Sequence, residues 1–407
     1  MQYVLDKSMP TEVRVKIRAD AAEVDEAIRD YKENARVLLA DKLVAQLLER
    51  EKINPVSRPM YEGDELKPGQ SYEFTARLAV LPLINLPDYA SLEVRLPEPG
   101  LEPEELRGVF LSLLRHFADV REVTDGRKAT AGDIAVVDIE AAADGVDVPE
   151  MHAHDLRVHL DEKGRLKDVS VVVMGLSTGE TGNGTIVCPD DFPRESLRGK
   201  RISLKITLNK LFSEQLPTLD AEFAKKIGFD TLDALEKKVL SDAMGNKIAA
   251  IKTMAGEKLL NDLLDKTDFP LPEPVRALFI RNEFLEARDI MLRAGMQREQ
   301  ITARLQEQRT AMEAQAERHA RAHCYLLALA FRENLQVPEK ELEKAIAQMA
   351  GKNGNPAELR KNMEKNGTLS DVQERLLTVR AMEFLYSHVH KVVVDRNGNP
   401  VEAPQKA

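Results

Sequence analysis

The sequence predicts a multidomain α+β protein: an α/β head domain, a small β-rich middle domain and an all-helical C-terminal body. Three observations carry this. A chain of 407 residues is too long to be organised around one core. From Gly132 to Phe212 the apolar residues recur with a period of two. Beyond Phe229 almost every segment follows the helical period instead.

The first region opens with strand-like alternation at Val13, Val15 and Ile17 and then enters a helical run from about Ala21 to Lys52. Val24, Ile28, Tyr31, Ala35, Leu39, Leu43 and Leu47 fall at helical spacing along that run, as a stripe facing a core does. One continuous helix over 21–52 would reach ~48 Å, more than a small sheet spans, which favours a hairpin turning near Asn34. Local propensity favours continuity, so both forms stand at this point. SYEFTARLAV (71–80) and ASLEVRL (90–96) read as further strands. A linker follows over 97–127, with a helix from about Glu102 to Arg121.

In the middle region, 128–214, the segments GDIAVVDIEAA, LRVHL, VSVVVMG and GTIVC read as short strands. RISLKITLNKLF sets Ile202, Leu204, Ile206 and Leu208 against Ser203, Lys205, Thr207 and Asn209, a strand with one buried and one wet face. From 215 to 395 the chain reads as helices. Asp230 and Thr231 cap one that runs to about Lys266, and Pro274 and Gly295 fit the first turn and the C-terminal cap of the next. A polar helix is expected from Gln297 to about Asn334, shorter ones over 338–350, 356–366 and 370–387, and a strand at HVHKVVVD. RNGNPVEAPQKA (396–407) reads as a frayed, disordered tail. No internal repeat at solenoid spacing is present.

Composition narrows the function classes. The net charge of −10 argues against a nucleic-acid or anionic-membrane binder, since both rely on a basic footprint. Cys188 and Cys324 lie far apart and form neither a disulfide framework nor a zinc pattern. The start, MQYVLDKSMPTEV, lacks the apolar run of a signal peptide, and no segment approaches the ~18 apolar residues of a membrane span. A cytoplasmic location is expected.

Three segments together resemble the trigger factor family of bacterial folding chaperones. EKINPVSRPMYEGDELKPGQSYEFTARLAVLPLINLPDYASLEV (51–94) carries that family's I-x-P turn and the proline-to-tyrosine run before an L-E-V strand. STGETGNGTIVCPDDFPRESLRGKRISLKI (177–206) is similar to its A-G-E and F-P segment, and LPTLDAEFAKKIGFDTLDALEKKV (216–239) to its L-P-E-L-D junction and following helix. The order of regions matches as well. The resemblance implies a head (1–96) that docks on the ribosome, a middle domain (128–214) of FKBP-like, prolyl-isomerase type, and a helical body (215–395) that cradles unfolded chains.

Two of those jobs fit these residues poorly. The family's docking loop, of G-F-R-x-G-K type, has no counterpart: AIRDYKEN passes directly into ARVLLADKLVAQLLEREKINP, and no glycine precedes Gly63. Between 21 and 52 there are six Lys/Arg against eight Asp/Glu, so no basic patch replaces it. Ribosome binding is expected to be weak or absent. FKBP-type sites hold a prolyl ring between aromatic walls, yet residues 128–212 include only Phe192 and Phe212. Against the family pattern the pocket positions read Ile139, Val148, Leu156 and Val169, with Phe192 keeping one aromatic. The isomerase pocket is degenerate, no catalytic residue carries over, and activity is expected to be weak or absent.

Other constellations weigh less. His152, His154 and His159 in MHAHDLRVH lack a third ligand type at convincing spacing. His319 and His323 lie one helical turn apart, but Ala320 stands where a zincin needs glutamate. GETGNG (179–184) lacks the Lys-Ser/Thr of a phosphate loop and reads as a β-turn. No metal and no cofactor are expected.

Function is therefore expected in the body. Eight of thirteen methionines lie at or beyond Met244, side chains suited to irregular apolar partners. LFIRNEFLEARDIMLRAGM (278–296) offers more apolar surface than one stripe needs, and Phe279, Phe284, Met291 and Met296 are the client-binding candidates. The expected function is an ATP-independent chaperone that binds exposed apolar segments of unfolded or nascent polypeptides. The alternatives are a prolyl isomerase assisting folding or export and a dedicated assembly or partner-binding factor. The expected partners include neither nucleic acid nor membrane; relatives that dimerise make a homodimer an open option.

Overall fold

The computed structural model describes residues 2–148, 151–161, 166–189, 197–293, 296–351 and 354–401. It divides into two compact units, one of Met1–Glu98 with Ala250–Ala407 and one of Pro99–Ala249. The second unit is thus an insertion in the first.

The chain begins with an antiparallel sheet of four strands, β1 (Gln2–Asp6), β2 (Glu12–Ala19), β3 (Met60–Gly63) and β4 (Tyr72–Ala79), in the order β1-β2-β4-β3. Val13, Val15 and Ile17 of β2 and Phe74, Ala76 and Leu78 of β4 point to one buried face, as the period of two requires. Two helices pack in the same core, α1 (Ala21–Tyr31) through Val24 and Ala27 and α2 (Ala35–Glu51) through Leu39, Leu43 and Leu47. Asp20 caps α1: its carboxylate accepts from the Glu23 N–H while Glu23 accepts from the Asp20 N–H, both at 2.9 Å. The single turn Lys32–Asn34 separates the helices, with Lys32 at a φ of 48°. The hairpin reading, turning near Asn34, holds. An eight-residue strand spans only ~26 Å, so a straight 21–52 helix would have left much of its apolar stripe uncovered.

In the inserted unit α3 (Pro103–His116) starts on a Glu102–Glu105 capping box. It ends short of the expected Arg121, because Asp119–Glu122 forms strand β6 against the far end of β11 (Arg201–Gln215). The sheet is completed by β7 (Ile134–Ala143), β8 (Val146–Asp147), β9 (Ala153–His159) and β10 (Thr181–Val187), all paired antiparallel. The alternation read in β11 is present, with Ile202, Leu204, Ile206 and Leu208 buried. A bulge after Leu208 resets the alternation, so that Leu211 also enters the core.

Two readings of this unit are corrected. VSVVVMG is not a strand: Lys167–Val173 is helix α4, whose Val169, Ser170 and Val173 are buried. Covering the sheet's apolar face outweighs the β-propensity of four valines. The turn read at 179–184 ends at Glu180, where Gly179 has a φ of 88°, and Gly182 and Gly184 are interior residues of β10. Those two glycines make room for α4. A Cβ at Gly182 would lie 2.9 Å from Val172 Cγ1, and one at Gly184 would lie 2.4 Å from Val172 Cγ2. Beyond the sheet, the short helix α5 (Ala221–Lys226) is capped by Asp220.

Helix α6 (Leu232–Lys266) starts where expected, Thr231 Oγ1 accepting from the Ala234 N–H at 3.1 Å. The first unit resumes at Ala250, within α6, and continues with α7 (Glu273–Arg293); Gly295, read as its cap, lies outside the described residues. The expected helix over 297–334 is two helices, α8 (Arg298–Glu307) and α9 (Arg309–Arg332), broken at Gln308, whose ψ of 0° departs from the helical value. Then come α10 (Glu339–Ala350), α11 (Pro356–Asn366), α12 (Leu369–His388) and strand β12 (His390–Val394), close to the sequence reading. β12 runs parallel to β5 (Glu93–Pro97), His390 opposite Glu93. Residues 395–401 turn back on β12, with the Val401 N–H donating to the Val393 carbonyl; the remainder of the segment read as a tail lies outside the described residues. Among the described residues no helix is long and apolar enough to cross a membrane.

The contact between α4 and β10 is directly testable. Gly184→Ala is expected to destabilise the chain by about 1–3 kcal/mol, since the stiff β-branched Val172 has no side-chain atom that can swing away. The double variant with Val172→Ala should regain part of that loss in urea denaturation followed by circular dichroism. Equal losses in the single and double variants would show that the two residues do not press on each other.

Candidate functional site

In the inserted unit the expected pocket residues belong to the core. Ile139, Val148 and Val169 are 5–6% exposed and Leu156 is half-buried against them, all in one apolar cluster with Val158, Val173 and Ile206. Phe192 lies outside the described residues. Val172, seated on the β10 glycines, fills space beside this cluster. An opening of about 470 Å³ lies on the sheet's other face, lined by Glu140, Asp147, Asn183, Thr185, Ser203 and Lys205, among others. Among the described residues no aromatic side chain borders it.

The histidines disperse. His152 Nε2 lies 2.9 Å from Asp147 Oδ1, His154 Nδ1 lies 3.8 Å from Asp138 Oδ1, and His159 Nδ1 lies 3.7 Å from Glu214 Oε2. Each faces a different carboxylate, and among the described residues no cluster of three or more metal-ligating side chains exists. His319 and His323 also diverge, the first toward Glu283 of α7 at 3.5 Å and the second toward Glu374 of α12 at 3.7 Å. Cys324 beside them is fully buried, and burial pushes its thiol up to about 12. Cys188 is buried too, its thiol raised by the same cause. Neither is a thiolate nucleophile at neutral pH.

The body carries apolar surface of a different kind. Of the four client-binding candidates, Phe279 is half-buried against the α9 core, its ring 5.3 Å from the His323 ring. Phe284, Met291 and Met296 are half-buried. The large apolar residues most open to solvent on α7 are leucines and an isoleucine: Leu278, Leu285, Ile290 and Leu292 are 41, 40, 59 and 45% exposed. Leu278, Leu285 and Leu292 recur every seventh residue, so they share one face. Their heptad spacing was visible in the sequence, but which face α9 would cover was not. Of the methionines beyond 244, Met312 and Met363 are buried, and Met254 and Met349 are 70 and 56% exposed.

A cleft of about 880 Å³ opens between the loop 55–59, the start of α7, His323 and the start of α12. Val56 and Val275 at its base are buried, Leu278 and Phe279 face it, and Pro55, Pro59 and Pro274 line it. Its rim carries Arg58, Arg281, Asp371 and Glu374. Arg58 donates to the Asn366 carbonyl at the end of α11 and so holds that helix terminus against the loop. α7 is fixed to α9 by the Arg276–Glu317 pair at 3.2 Å. The cleft's lining is thus apolar at the base and charged at the rim.

Comparison with known proteins finds relatives of one family. A family model described as "Bacterial trigger factor protein (TF)" matches residues 29–109, and one described as "Bacterial trigger factor protein (TF) C-terminus" matches residues 231–387. The trigger factor of Nitratidesulfovibrio vulgaris (strain DP4) is 27% identical over 345 residues, covering 84% of this chain and 80% of its own. That of Syntrophotalea carbinolica is 28% identical over 364 residues, covering 88% and 82%. A solved structure described as "Promiscuous Substrate Recognition in Folding and Assembly Activities of the Trigger Factor Chaperone" aligns over 95% of this chain and 99% of its own, at 17% identity and a TM-score of 0.39. With its N-terminal and C-terminal regions both matched, and relatives aligned along four-fifths of its length, the chain belongs to the trigger factor family.

Proposed function

We propose that this family member exerts its chaperone role in protein folding through α7, by binding exposed apolar segments of unfolded or newly made polypeptides without ATP or any other cofactor. The observation that carries this is the solvent-exposed leucine face of α7, Leu278, Leu285 and Leu292, with the half-buried Phe284 and Met291 on the same helix and the half-buried Met296 beyond its end. Burial of apolar surface is non-directional, so such a face accepts many sequences, and thioethers adapt to irregular partners. Weak contacts at several points release a client without an energy source. The working division is a head over 1–96, a linker over 97–127, an FKBP-like region over 128–214 and a client-binding body over 215–395, acting in the cytoplasm.

Two other activities of the family are reduced in this reading. The positions expected to line a prolyl pocket pack into a core, and Val172 occupies the space beside them. At the end of the head, α1 and α2 meet in a three-residue turn that exposes Tyr31, Val37 and Leu38 and leaves no room for a basic loop.

Three measurements test these points. Leu285→Ser with Leu292→Ser should weaken suppression of aggregation of a denatured client about fivefold per leucine, equal to ~1 kcal/mol of the 1.5–3 kcal/mol for a fully buried leucine. Both side chains are exposed, so the fold should persist; undiminished suppression would remove α7 from the client site. In a protease-coupled tetrapeptide assay, proline isomerisation should stay at the uncatalysed tens to hundreds of seconds. A rate like that of an efficient isomerase would reverse that conclusion. Mixed with ribosomes at near-physiological salt, the chain should remain in the supernatant after centrifugation, and its recovery in the ribosome pellet would count against the loss of docking.

A further inference from the structure

We propose that the 880 Å³ cleft between the loop 55–59, α7 and the start of α12 is a selective subsite. Its occupant is an extended client segment with a large apolar side chain flanked by one acidic and one basic residue. This deepens the chaperone reading and rests on it.

The cleft falls in the size range of sites that enclose a ligand, roughly 300–1,000 Å³. Its base is apolar and preformed. Val56 and Val275 are anchored in the core of the first unit, and Phe279 is braced by the His323 ring. Three prolines on its walls have backbones with little freedom to lose. An occupant therefore meets a site whose ordering cost is already met by folding.

Selectivity comes from the rim. Arg58 is occupied by the Asn366 carbonyl, and Glu374 faces His323. Arg281 on α7 and Asp371 in the first turn of α12 have no hydrogen-bond or ion-pair partner among the described residues. They are opposite charges on different walls of one apolar cleft. Each would find its counter-charge in a segment that carries both signs around its apolar residue. The Arg281 guanidinium offers a planar fork to a carboxylate, and Asp371 offers two acceptor oxygens to an ammonium. A segment of one sign would satisfy one wall and be repelled by the other.

The test uses the full-length protein and fluorescence anisotropy. The probes are labelled decapeptides of glycine and serine with a central Leu-Phe, flanked by Asp on one side and Lys on the other. In matched peptides Asp becomes Asn, Lys becomes Gln, or both change. The doubly charged peptide should bind about three- to tenfold more tightly than the neutral one, as two solvent-exposed pairs allow. Arg281→Ala should abolish the benefit of the peptide's Asp and leave that of its Lys, and Asp371→Ala should do the reverse. Equal affinity for all four peptides, or variants that lose both benefits together, would overturn the proposal. Aggregation suppression is measured on the same proteins. Intact suppression without peptide selectivity overturns the cleft and leaves the chaperone reading in place. Peptide selectivity without suppression upholds the cleft as a peptide site and overturns that reading.

Discussion

The second half of α9 is buried almost all round. Cys324, Tyr325, Leu327, Leu329 and Ala330 have no measurable exposure, and the core they form takes in Ala79, Tyr89 and Val94 from the N-terminal part of the unit, Leu259 and Leu263 from α6, Val275 from α7 and Leu385 from α12. A helix apolar on every side has to be surrounded, and this one sets where its neighbours lie. Arg332 at its end reinforces the arrangement by donating to the carbonyls of Leu86 and Pro87 and lying 4.5 Å over the Tyr89 ring. α7 and α12 settle against α9, and the space left between them and the loop 55–59 is the cleft. The leucines of α7 stay open because α9 presents only one flank to that helix.

The inserted unit illustrates the opposite use of packing. A prolyl-ring pocket requires a stable void between helix and sheet, and voids are costly in an interior packed as tightly as a crystal. Here α4 closes on the sheet, with two glycines of β10 admitting a valine to where their own side chains would have been. The six strands are paired and the interior between sheet and helix is filled. Scaffold and pocket are separable because strand pairing depends on backbone hydrogen bonds and pocket chemistry on a few side chains.

Much of this was legible in the sequence, for identifiable reasons. The alternation in β11 and the cap on α6 each rest on short-range signals that tertiary structure reinforces. β1, β3 and β6 were not legible, since they are short and none of their residues is fully buried. α4 was misread because four valines favour a strand when the sheet they must cover is unknown. The break at Gln308 has neither glycine nor proline to mark it. At the site, residue type pointed to Phe279, Phe284, Met291 and Met296, whereas exposure falls most on Leu278, Leu285, Ile290 and Leu292. Composition identifies the helix, but only the neighbouring helices decide which side of it stays wet.

The parallel pairing of β5 with β12 bears on how the molecule is made. Its two strands are separated in sequence by the whole inserted unit and most of the helices, so the ladder cannot close fully until residue 394 has been synthesised. Residues 99–249 form a continuous stretch and need nothing downstream to complete their sheet. During synthesis the interrupted unit must keep its upstream half waiting with apolar surface uncovered, a state prone to association. A protein that shields unfinished chains thus passes through a stage in which it is itself one.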